Sequence, residues 1–214
     1  MEKLLFLFRR KPGTTRAEFY EYYVNVHNPL GLSLNPGIKR YTVNFVESDG
    51  TDVDSVTELW TPSANDMITG KTFPSPEHRA KSVADGQAFM GPADMFQVEE
   101  HIVLGDEIDA GVPAGEGPWA KLVSLHDRGE DPGEPPAGAV RVIDNRVVQT
   151  FHTGHGIGDD SEEHGHHTSD IALMRMIWAE DPRVLPAGGG PTMLRVLERR
   201  EAVPDHDGSG GRRP

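Results

Sequence analysis

Leu4-Leu5-Phe6-Leu7-Phe8 is apolar at every successive position. Neighbouring side chains of a strand point to opposite faces, so such a run describes a strand covered on both sides. The sequence that follows supplies one cover. Thr15 and Glu18 have the spacing of a capping box, and Phe19, Tyr22, Tyr23 and Val26 continue at helical spacing until Asn28-Pro29, which is expected to stop the helix. Ile38 to Val46 then alternates. Tyr41, Val43 and Phe45 fall on one face, and Arg40, Thr42 and Asn44 form a polar strip on the other, which reads first as solvent-facing, with a wet barrel interior as the alternative.

Val56 to Thr61 reads as a third strand. Ser75-Pro76 opens a second helix to about Phe89, and Val98 to Leu104 is a fourth strand. The order strand, helix, strand, strand, helix, strand is the split βαβ pattern: an α+β, ferredoxin-like unit over residues 1–107, with both helices on one face of an antiparallel sheet. The other face of Leu4–Phe8 still needs a partner. After a Gly/Pro/Ala linker at 108–117, residues 118–203 offer strands near Ala120–Leu125, Val140–Phe151, Ile171–Trp178 and Met193–Val203, joined by stretches too rich in Pro and Gly for good helices. This half reads as a divergent, helix-poor second ferredoxin-like unit. Asp144-Asn145 offers an alternative hairpin turn within its second strand. Residues 204–214 have nothing to bury and read as a disordered tail.

Over the 214 residues, 34 Asp and Glu against 21 Lys and Arg give a net charge of −13, which makes nucleic acid and anionic membranes poor partners. The absence of cysteine excludes disulfides, thiolate metal sites and cysteine nucleophiles. No apolar run approaches the length of a bilayer span and no signal-peptide cleavage site follows Leu4–Phe8, so a soluble, cytoplasmic protein is expected.

Lys3 to Gly13, the aromatic helix Phe19-Tyr20-Glu21-Tyr22-Tyr23, the turn Val26-His27-Asn28-Pro29-Leu30, and Arg40-Tyr41 with Asn44 resemble the EthD family of the dimeric α+β barrel superfamily, over about residues 1–105. The second half has no such match. The resemblance implies two four-stranded sheets packed into a barrel, with a pocket between sheet and helices in each unit. In this chain the second sheet would come from the second half, an intrachain pseudo-dimer, or from another molecule, and self-association is left open. The resemblance further implies an enzyme without organic cofactor, a lyase or isomerase of the kind associated with polyketide tailoring and catabolism of small organic compounds. Its substrate would be a small hydrophobic carbonyl or aromatic compound. A cofactor-independent oxygenase and a non-catalytic binding or accessory barrel are the alternatives.

His27 lies at the end of the first helix and at the edge of its apolar stripe. Helix end and burial pull its protonation in opposite directions, which suits a general acid or base, although an imidazole that merely orders the helix end is the structural alternative. Tyr20, Tyr23, Tyr41 and Trp60 could line a pocket and stack on an aromatic ligand, with Asn44 as a polar contact, whereas Phe19 and Tyr22 read as core. The loop His152 to His167 mixes histidines with Asp and Glu, but no helix fixes an i,i+4 pair and the loop is Gly-rich, so no native metal is expected. Gly154 to Gly158 is no phosphate loop, for no lysine follows at the needed spacing.

Overall fold

The computed structural model describes residues 1–106, 115–116, 119–153, 170–188, 192–204 and 206. Its strands are β1 (Glu2–Arg10), β2 (Arg40–Val46), β3 (Ser55–Thr61), β4 (Met90–Leu104), β5 (Gly115–Glu116), β6 (Ala120–Asp127), β7 (Ala139–Thr153), β8 (Ile171–Ala179) and β9 (Met193–Glu201). Helices α1 (Arg16–Tyr22), α2 (Asn28–Leu34), α3 (Ala64–Ile68) and α4 (Pro76–Phe89) all fall in the first half. The long strands run in the order β2-β3-β1-β4-β7-β8-β6-β9, and β9 pairs antiparallel with β2, which closes an eight-stranded antiparallel barrel. Among the described residues no helix is long and apolar enough to cross a membrane.

Both faces of β1 are used as its composition requires. Leu4, Phe6 and Phe8 pack beneath the helices with Phe19, Tyr23 and Phe89, while Leu5 and Leu7 point into the barrel against Phe96, Val123, Met176 and Trp178. The capping box holds: Thr15 accepts from the Glu18 amide, and Glu18 accepts from the Thr15 amide at 2.8 Å. Asn28-Pro29 does not end the first helix. A π turn over Tyr23–His27 lets the Asn28 amide donate to the Tyr23 carbonyl, five residues back, and the wider turn carries the chain past Pro29 into α2.

Two further expectations change, and the alternative hairpin within the second strand of the second half is not taken. The polar strip of β2 does not face solvent: Thr42 and Asn44 are buried inside the barrel, where Asn44 donates to the Val56 carbonyl and to Glu58. β7 runs unbroken through Asp144-Asn145, because both residues pair with β4 on one side and β8 on the other. Gly115–Glu116, inside the stretch read as linker, pair with β9, and His206 in the supposed tail donates to the Leu32 carbonyl at 2.9 Å. The remainder of the linker, nearly all of the tail and residues 154–169 of the histidine loop lie outside the described residues.

One end of the barrel interior is charged and repeats itself. Lys3 is the cross-strand partner of Trp60, and Trp60 of Arg40; in the second half Lys121 stands opposite Trp178, and Trp178 opposite Arg141. Lys3 donates to Glu100 and Lys121 to Glu198, both at 2.8 Å, while the Trp60 and Trp178 indoles donate to the same two carboxylates. Asn44 and Asn145 each donate to the backbone carbonyl of the facing strand. Glu58 breaks the symmetry by lying between the two lysines, 2.7 Å from each.

Burial alone would raise the Glu58 pKa, but Lys121 and Lys3 overcome it and hold the carboxyl well below the ordinary carboxylate range. Glu58→Gln removes the shared counter-charge of two buried ammonium groups, and a loss of roughly 3–5 kcal/mol is expected in urea unfolding. Because the folded pKa is depressed, this contribution is fully present above the unfolded value of about 4.3 and falls away as the pH drops below it. Wild-type stability should therefore decline below about pH 4.5, and less steeply in Glu58→Gln.

Candidate functional site

The π turn sets His27 on the inner side of the helical layer, its ring edge-on to Tyr23 at 4.8 Å and tilted against Phe89 at 4.9 Å. Nδ1 lies 2.6 Å from Oδ2 of Asp85, and Tyr22 donates to the other oxygen of that carboxylate at 3.0 Å. Asp85 reaches this place because Ser75 caps α4 and Pro76 starts it, so that Ser82, Asp85 and Phe89 share the face turned to the sheet. With a carboxylate on Nδ1, the tautomer of the ring that carries its proton there has its lone pair on Nε2, the arrangement of a general base oriented by an acid. Nε2 has no hydrogen-bond partner among the described residues.

His27 lines a cavity of about 40 Å³ between the helices and the sheet, with Asn28, Leu32, Tyr41, Phe73 and Met90. That volume admits water but no aromatic ring. Tyr41 shares a hydrogen bond of 2.9 Å with Tyr23, whose hydroxyl also meets Thr57 at 2.8 Å. Burial pushes both phenols well above their ordinary pKa, so they remain O–H groups that can donate to an oxygen. Asn28 donates to Glu201 of β9 at 2.8 Å, while its own Oδ1 is buried without a partner.

Of the residues singled out from the sequence, His27 and Tyr41 line the cavity and Tyr23 stands directly behind Tyr41. Tyr20 packs on Phe45 and donates to the Val46 carbonyl. Trp60 and Asn44 belong to the barrel interior, on the far side of the sheet from His27. Asp85 escaped the sequence reading. Its signal was present, for it is an acidic residue three positions from Ser82 and four from Phe89, on the stripe of α4 that must face the sheet. Among the described residues no group of three or more His, Cys, Asp or Glu could hold a metal ion.

Residues 11–93 match the family model described as EthD domain. No curated protein matches the sequence. Among solved structures, one titled "Crystal structure study of anthrone oxidase-like protein" is similar with a TM-score of 0.56 at 11% identity, over 93% of this chain and 92% of that one. At that identity the likeness shows the fold.

Truncating His27 would leave Asp85 buried with Tyr22 alone. His27→Ala should therefore lower stability by roughly 1–3 kcal/mol, more than the few tenths expected of an imidazole that only meets a helix end. Phe19→Ala, which opens a void among Tyr23, Tyr20 and Phe89, should cost roughly 3–5 kcal/mol. Thermal melts of the two variants check the ranking.

Proposed function

We propose that this protein is an enzyme that processes a small hydrophobic carbonyl or aromatic compound by proton transfer at His27. The observation that carries the reading is the 2.6 Å contact of Nδ1 with Asp85, which leaves Nε2 as the only free nitrogen of a ring that lines the cavity. Nε2 takes a proton from carbon beside a carbonyl, Asp85 stabilises the imidazolium that forms, and Tyr41, backed by Tyr23, donates to the oxygen that gains charge. Dehydration, decarboxylation and isomerisation all draw on these three groups. A substrate must enlarge the cavity, which requires α2 and the segment leading into α4 to part where Leu32 and Phe73 close it.

The second half completes the barrel in place of a second copy. This reading is supported by the strand orders β2-β3-β1-β4 and β7-β8-β6-β9, which are the same once each half is numbered from its own first long strand, and by the repeated Lys, Arg, Asn, Trp and Glu of the interior. The first half alone then keeps the helical layer, and with it the reacting groups.

Exchange of carbon-bound protons in D2O, followed by NMR for a panel of aryl ketones and cyclic diketones, reads the proton transfer without knowledge of the net reaction. The wild type should catalyse exchange of at least one of them, and His27→Gln should slow it about 10²–10⁴-fold. No exchange above buffer with any compound would count for a binding barrel. A second reading, cofactor-independent oxidation of an aromatic compound by dioxygen, is favoured by the structural likeness to a protein titled anthrone oxidase-like. An oxygen electrode separates the two, because proton transfer alone consumes none.

A further inference from the structure

The end of the barrel interior holds two guanidinium groups that the His27 cavity does not use. Arg40 lies over the Trp60 ring, 3.6 Å from its centre, and its counterpart in the second half, Arg141, lies over Trp178 at 5.4 Å. Neither has a carboxylate or a hydrogen-bond partner among the described residues, and Nε of Arg141 is buried and unsatisfied, the residue being only 8% exposed. An arginine in that position normally finds an anion or a carbonyl. Both line one cavity of about 260 Å³ at the barrel mouth, whose remaining walls are Met1, Trp60, Ile102, Ile143 and Glu100.

The charges around the cavity do not balance. Lys3, Lys121, Arg200, Arg40 and Arg141 stand against Glu58, Glu100 and Glu198, and the three carboxylates are engaged by the lysines and by Arg200. Glu100 faces the cavity, yet Lys3 and the Trp60 indole hold it from behind. Burial, followed by the proximity of Arg40 and Arg200, pushes Arg141 below the ordinary arginine value against the pull of Glu100 and Glu58. The surplus positive charge sits in a chain whose net charge is −13, so it is a local arrangement.

We propose that the barrel mouth is a second ligand site, distinct from the His27 cavity, in which Arg40 and Arg141 clamp a compact organic carboxylate. A carboxylate fits because a planar guanidinium pairs with it through parallel N–H donors. An organic body fits because Met1, Ile102, Ile143 and Trp60 offer apolar surface that a bare inorganic ion would leave wet. The ligand lies between the strands of the two halves and therefore bridges them.

The experiment is a fluorescence titration with benzoate, benzamide and inorganic phosphate on the full chain carrying Trp119→Phe. That change removes the exposed tryptophan and leaves Trp60 and Trp178, whose rings the arginines cover. Benzoate should change the emission saturably. Benzamide, with the same ring and no charge, should bind at least ten-fold more weakly. Arg40→Gln and Arg141→Gln should each weaken benzoate at least ten-fold. Arg40 is the more exposed of the two, so its variant gives a readout even if Arg141→Gln fails to fold. His27→Gln should bind benzoate as the parent does, which keeps the outcome separate from the fate of the His27 site. Absence of saturable binding, equal binding of benzamide, unchanged affinity in the arginine variants, or phosphate binding tighter than benzoate would each overturn the proposal.

Discussion

One carboxylate, Glu58, is shared by two buried lysines that come from opposite halves of the chain. Ammonium groups inside a barrel survive only with counter-charges at hydrogen-bond distance, because each would otherwise lose its hydration with no return. Glu58, Glu100 and Glu198 supply them, and Asn145 of the second half accepts from Lys3 of the first. The ion network therefore ties β1 and β3 to β6, β7 and β9 across the barrel, in addition to the backbone seams β4–β7 and β2–β9. Neither half could keep these groups buried by itself.

The two faces of the sheet consequently carry different chemistry. Outside, Leu4, Phe6, Phe8, Val43 and Leu59 form an apolar floor on which the helices lie, and polar groups that reach it include the pairs His27 with Asp85 and Tyr23 with Tyr41 and Thr57. Inside, an apolar band of Leu5, Leu7, Phe96 and Trp178 gives way at one end to a dense set of charges. The outer arrangement suits proton transfer on an uncharged compound, and the inner one suits recognition of an anion.

The outer layer was legible in the sequence because its rules are local. A doubly apolar strand, a capping box and a Ser-Pro helix start are read from neighbouring residues, and β1, α1 and α4 lie where those signals place them. His27 was legible for the same reason. Pro29 misled because a π turn, whose wider ring accommodates the missing amide, leaves no mark in composition. The barrel interior was not legible, since nothing in the local pattern around Lys3, Glu58, Lys121 and Glu198 distinguishes a polar barrel interior from a solvent-facing strand face. Only the closure of β9 on β2 decides that these positions face inward. Asn44 and Trp60 were noticed for their chemistry, but only that closure separates them from the His27 cavity.

That the two halves form one closed barrel held through its interior is tested most directly by native-state amide hydrogen exchange at the two seams. The amides that join β4 to β7 and β2 to β9 should be protected as strongly as those joining β1 to β3 and β6 to β8, all opening together in a single global event. Seam amides that exchange orders of magnitude faster than those within each half would contradict the account, for the halves would then be separate units that merely touch.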